Sequence, residues 1–135
     1  MRSKKKDLMI TNCYDVDNIM IITGSCLERM QPKAYKKLKR ISNNIYEVCL
    51  ELTHVNMVIT KLIGMLSRVK VDKIIFASVD KSPHCVQLHY IEGEIRKAMD
   101  IDTEIVHYVA VDDKLIEISN NTIKKSKSLS ELEKI

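Results

Sequence analysis

The chain has 135 residues, 45% of them hydrophobic and 30% charged, with a formal net charge of +4. That balance describes a single packed domain and excludes a disordered chain. No apolar run approaches the ~20 residues of a membrane span. The basic start, MRSKKK, is followed only by Leu8-Met9-Ile10, too short an apolar run for a secretory leader, so a cytoplasmic protein is expected. Its four cysteines, Cys13, Cys26, Cys49 and Cys85, have no mini-protein spacing, so reduced thiols are expected rather than disulfides.

Residues 1–6 read as a flexible basic arm on a single α/β domain of residues 1–135. Leu8–Cys13 suggests a short strand, which can run parallel to its neighbours or form a hairpin with Asn18–Thr23. The latter is a firmer strand, apolar and β-branched, ended by Gly24-Ser25. A first helix is expected over Pro32–Leu50, because Ala34, Leu38, Ile41, Ile45, Val48 and Leu52 recur at steps of three and four. A second is expected over His54–Arg68, where Val55, Val58, Ile59, Leu62, Ile63, Leu66 and Val69 form a wide apolar stripe. Lys73–Val79 is nearly continuous in apolar residues, as a strand covered on both faces requires. A third helix is expected over Pro83–Met99, with Leu88, Ile91, Ile95 and Met99 inward. Glu104–Val111 reads as a strand, Asp112-Asp113 as a turn, and Lys114–Ser119 as its hairpin partner. A closing helix starts near Asn120, and Ser128 with Glu131 resembles a capping box that would restart it. Strands alternating with helices point to a three-layer, Rossmann-like α/β domain with a mainly parallel sheet and a C-terminal β-hairpin.

Cys13, Cys26 and Cys85 each follow an apolar, strand-like run. If those strands are parallel, the three thiols share the carboxyl edge of the sheet, where open α/β folds bind ligands. Cys85 has the most specific surroundings. Ser82 suits a helix N-cap and Pro83 the first helical position, so Cys85 falls in the first turn, where a thiolate is favoured. On an α-helix His89 lies one turn above Cys85 on the same face. A site of Cys13, Cys26, Cys85 and His89 suits zinc or an iron–sulfur cluster. The bland alternative is that these cysteines are small buried hydrophobes. Cys49, beside Val48 on the expected first helix, reads as core. His107 alternates with Ile105 and Val109 and reads as a hydrogen-bonded core histidine. His54 suits local capping or packing, and Asp15 and Asp80 suit turns, though either can hold a histidine or a metal.

The run IIFASVD, then Ser82-Pro83-His84, then Ile91 and Ile95, then EIVHYV within residues 74–110 resembles the small Cys/His-rich metal-binding CGC domains. The resemblance implies metal binding, zinc foremost, and carries over to His84 and Cys85. The chain departs from that pattern in lacking clustered cysteines and in having Ser82 where a cysteine is expected.

Other readings compete. A metal-independent thiol enzyme would use Cys85 as nucleophile and His84 or His89 as base. A nucleic-acid or protein-binding module would use Lys4–Lys6 with Lys33, Lys36, Lys37, Lys39 and Arg40, but no aromatic stacking platform accompanies them, so nucleic acid is not the expected partner. The stripe on Val55–Val69 also offers a surface to a second copy, in which case a charge at Leu62 or Leu66 splits a homo-oligomer. The expected partner is a metal ion or small ligand, with no membrane. Phosphate-loop, dinucleotide-cradle, zinc-protease and nucleophile-elbow motifs are absent.

Overall fold

The computed structural model describes residues 6–12, 16, 18–82, 85–128, 130 and 133, with the backbone alone at Lys6 and Cys85. Among the described residues six strands form one sheet: β1 (Lys6–Asp7), β2 (Ile19–Gly24), β3 (Ile45–Val48), β4 (Lys73–Val79), β5 (Glu104–Val111) and β6 (Lys114–Ile118). Their order is β1-β3-β2-β4-β5-β6. The first five run parallel, and β6 turns back antiparallel on β5. The helices are α1 (Leu27–Met30), α2 (Pro32–Ile41), α3 (Val55–Leu66), α4 (Ile91–Ala98) and α5 (Asn120–Ser126), with a 3-10 helix over Cys85–Tyr90 before α4.

Strand alternation separates two cores. On one face Met20, Ile22, Tyr46, Ile74 and Phe76 meet α3 through Val58, Leu62 and Met65, and α4 through Ile91 and Ile95. On the other, Ile21, Ile45, Ile75 and Ala77 meet Leu27 of α1 and Ala34, Tyr35 and Leu38 of α2. The result is the expected three-layer domain. β4 lies in its middle, six of its seven residues buried. The second helix and the strands from β4 onward lie where the sequence puts them, within one or two residues at each end.

Three expectations need correction. The first helix ends at Ile41, and Ile45–Val48 is a strand between β1 and β2. The cause is Ser42. Its backbone is extended, and its hydroxyl donates to the Ile19 carbonyl at 2.7 Å while accepting from Asn44 N at 3.0 Å. This local competition draws the chain off the helix and into the sheet. Cys49 therefore follows a strand rather than sitting on a helix face, and it is half-buried.

The first strand is Lys6–Asp7, parallel to β3, so Lys6 belongs to the sheet rather than to an arm, and no hairpin with β2 forms among the described residues. Leu8–Ile10 already turns, with Ile10 N and Thr11 N both donating to the Asp7 carbonyl. The third helix is not α-helical at its start: Cys85–Tyr90 is 3-10, and the α-helix covers only Ile91–Ala98. Within the stripe on α3, Leu62 is fully buried and Leu66 nearly so, while Val55, Ile59, Ile63 and Val69 are half-buried. The restart proposed at Ser128 and Glu131 lies outside the described residues at Glu131.

Candidate functional site

At the carboxyl edge of the parallel sheet, Cys26, Cys49 and the backbone of Cys85 each follow a strand. Gly24 of β2 pairs with Val48 of β3, and Ser25 N donates to the Val48 carbonyl at 3.1 Å. Cys49 follows Val48 directly, and Cys26 lies two residues past Gly24 as the N-cap of α1. Both leave the same edge of strands that lie about 4.8 Å apart. Cys85 opens the 3-10 helix that follows β4, the next strand across. Cys13 falls six residues past the end of β1 in the sequence and lies outside the described residues, as do His84 and Asp15.

His89 is not stacked over Cys85. A 3-10 helix repeats every three residues, so the position above Cys85 is Leu88, and His89 is turned about 120° from it. It points into the protein, 3% exposed. Its Nε2 is 2.7 Å from Ser78 Oγ and its Nδ1 is 3.0 Å from His107 Nδ1. Among the described residues, no three His, Cys, Asp or Glu side chains come together as a metal-binding group.

His107, also buried, carries the chain of polar contacts onward. It stacks on Phe76, its neighbour across the β4–β5 pair, with ring centroids 5.6 Å apart. Its Nε2 lies 2.7 Å from Glu92 Oε1. Glu92 is 5% exposed, and its Oε2 accepts from Arg96 Nε at 2.7 Å. Arg96 Nη2 donates to the Thr103 carbonyl at 3.1 Å, which pins the guanidinium at the start of β5.

The end of this chain fixes every proton in it. Ion-paired with Arg96, Glu92 is a carboxylate and only accepts, at Oε2 from Arg96 and at Oε1 from His107. His107 therefore carries its proton on Nε2 and accepts at Nδ1. His89 then donates from Nδ1 and accepts at Nε2, so Ser78 donates its hydroxyl proton to His89. Both imidazoles are neutral in this pattern. Burial pushes His89 down to about 3, aided by the neighbouring His107. Burial also lowers His107, against the hydrogen bond and charge of Glu92, which raise it.

Ser78 and His89 form one wall of a cleft of about 200 Å³. Val79, Val109, Ile118 and Ile123 make its apolar lining, and Lys81 and Thr122 add polar groups. Lys81 holds a left-handed φ of 69° in the turn after β4. A non-glycine residue in that region carries backbone strain of about 1–2 kcal/mol, which is retained where a site needs the turn. Tyr90 OH and Ser126 Oγ, 3.0 Å apart, tie α5 over the cleft, and Lys127 Nζ sits 4.6 Å over the Tyr90 ring. Asp80 is exposed at the cleft rim.

Sequence reasoning read His107 as a hydrogen-bonded core residue, and it is one. It missed Ser78 and Glu92. The signal was present: Glu92 shares the inward face of α4 with Ile91 and Ile95, so a buried carboxylate there demands a buried donor. His107 was the inward-facing polar residue on the adjoining strand.

No helix among the described residues is long and apolar enough to cross a membrane. No curated protein and no solved structure matches the chain. The likeness to CGC domains is overturned, because the family model that matches is a different one. The chain belongs to the Rossmann-like domain family, whose model matches residues 15–134.

Proposed function

We propose that this is a metal-binding, redox-active protein in which Cys13, Cys26, Cys49 and Cys85 hold an iron–sulfur cluster at the carboxyl edge of the sheet. One observation carries the reading. Across the order β1-β3-β2-β4, each of four adjacent parallel strands is followed by one cysteine, and the chain has only four. Cys13 enters by its place in the sequence. Cys49 replaces His89 in the ligand set, because both ring nitrogens of His89 are engaged with Ser78 and His107.

Spacing favours a cluster over a single ion. Four neighbouring strands span about 14 Å at ~4.8 Å each. Zinc requires all four sulfurs at about 2.3 Å from one centre. A cluster spreads its ligands over several irons and suits donors arriving from separate strands. A thiol enzyme with His89 as base gains no support, since the 3-10 backbone turns His89 away from Cys85.

The test is iron, acid-labile sulfide and zinc content of full-length protein purified without oxygen. Stoichiometric iron with matching sulfide is expected. Zinc without sulfide would replace the cluster with a single-ion site, and a metal-free, colourless protein would overturn the proposal.

A further inference from the structure

The buried polar chain is a separate matter from the thiols, and its geometry is that of a nucleophile with its base. Ser78 Oγ lies 2.7 Å from His89 Nε2, within reach for direct proton transfer. The base is oriented by a third group, His107, which is oriented in turn by Glu92. A nucleophile, a base and an orienting acid in sequence are the parts of an acyl-transfer site. The four side chains come from β4, the 3-10 helix, β5 and α4, so the arrangement exists only in the folded domain. The cleft against Ser78, about 200 Å³, is walled by valine and isoleucine.

We propose that Ser78 is an acyl-accepting nucleophile and that its substrate is a small ester with a short apolar acyl chain. Ser78 Oγ bonds to the carbonyl carbon while its proton passes to His89 Nε2. The bond from that carbon to the leaving oxygen then breaks, and the alcohol departs with the proton held by His89. Water adds to the acyl-serine, giving a proton to His89. The carboxylic acid leaves as Ser78 Oγ recovers the proton. No electrons are gained or lost, so water is the only co-reactant. Lys81, on the same cleft wall, is the cation available to the developing oxyanion.

His89 touches the reacting atom and is catalytic in this scheme. His107 and Glu92 are positioning residues. As His89 takes up a proton at Nε2, its Nδ1 proton can pass to His107, which places the positive charge beside the Glu92 carboxylate. Among the described residues, the other charged or titratable groups around the pair are Arg96 on Glu92, and Asp80, Lys81 and Tyr90 in the cleft wall.

The experiment incubates the full chain with p-nitrophenyl butyrate and maps the butyryl group by peptide mass spectrometry. Neutral hydroxylamine is used to remove thioesters from cysteine first. A butyryl group on Ser78 is expected, and its absence from the wild-type protein overturns the proposal whatever the variants do. Label confined to lysine or cysteine overturns it equally. Glu92→Gln is expected to slow acylation ~10- to 100-fold with KM unchanged, a split that a merely structural residue does not give. An unchanged rate removes Glu92 from the relay. Metal content is measured on the same sample, so the cluster and the esterase scheme succeed or fail separately.

Discussion

His89 and His107 face each other nitrogen to nitrogen, Nδ1 to Nδ1 at 3.0 Å, inside the core. Two rings in that contact share one proton, so protonating both puts two donors in opposition. The buried pair is therefore a hydrogen-bonded unit whose state is set at its far end, by Glu92 and Arg96.

Acid should weaken the fold through this pair. Both histidines have native values lowered from about 6.5, that of His89 to about 3. The unfolded chain therefore binds more protons than the native one below pH 6.5. Stability is present above that point and is lost as pH falls from 6.5 toward 3. His89 alone accounts for a loss on the order of 3 kcal/mol between pH 7 and pH 4. Urea unfolding at pH 7, 5.5 and 4 should show it, and His89→Gln should flatten the dependence. Equal midpoints at all three values in the wild type would contradict the buried neutral pair.

Two glutamates on α4 provide a comparison. Glu92 is buried and holds both His107 and Arg96, whereas Glu94 meets Lys97 at 3.4 Å on the surface. Glu92→Gln puts an amide donor against a guanidinium or an imidazole N–H and should cost about 2–4 kcal/mol. Glu94→Gln should change stability by no more than about 0.5 kcal/mol. Similar losses from the two, measured by denaturant unfolding, would mean that the buried contacts are not formed.

The hairpin turn separates backbone strain from side-chain capping. Asp112 and Asp113 both hold left-handed φ values, 52° and 60°. Asp112→Gly should raise stability by about 0.5–1 kcal/mol by relieving that strain. Asp113→Gly relieves the same strain but removes the carboxylate that accepts from Lys33 N at 3.1 Å in the first turn of α2. A lost cap costs about 1 kcal/mol, so the net change should be near zero. Melting temperatures of the two variants should differ, and identical shifts would remove the cap from the account.

Leu62→Asp tests where the α3 stripe goes. Leu62 is fully buried against the sheet, so an unpaired carboxylate there should unfold the domain. A folded variant that only changes oligomeric state by size exclusion would show that the stripe faces a second copy instead.

The fold was legible wherever one periodicity dominated. Lys73–Val79 was readable because only a strand covered on both faces tolerates so continuous an apolar run. Ile41, Ile45, Val48 and Leu52 misled because a helix and a short buried strand can share that spacing; what decided between them was the Ser42 hydroxyl bonding to Ile19, a contact across 23 residues. Cys26 and Cys85 were legible as residues that follow strands, Cys49 was lost with the misread strand, and Cys13 lies outside the described residues. Beyond the need of a buried Glu92 for a donor, the histidine chain was not legible, because its partners lie 11 to 18 residues apart and meet only once β4 and β5 pair. The 3-10 geometry of Cys85–Tyr90 was equally hidden, since Ser82-Pro83 signals a helix start without saying which helix follows.

The most direct measurement is the iron and acid-labile sulfide retained by a Cys49→Ser variant beside wild type, both purified without oxygen. A ligand at the end of β3 predicts a cluster in wild type that is lost or markedly depleted in the variant, while far-UV circular dichroism stays unchanged. A variant that keeps the wild-type iron and sulfide would contradict the four-strand thiol site and return Cys49 to an ordinary half-buried side chain.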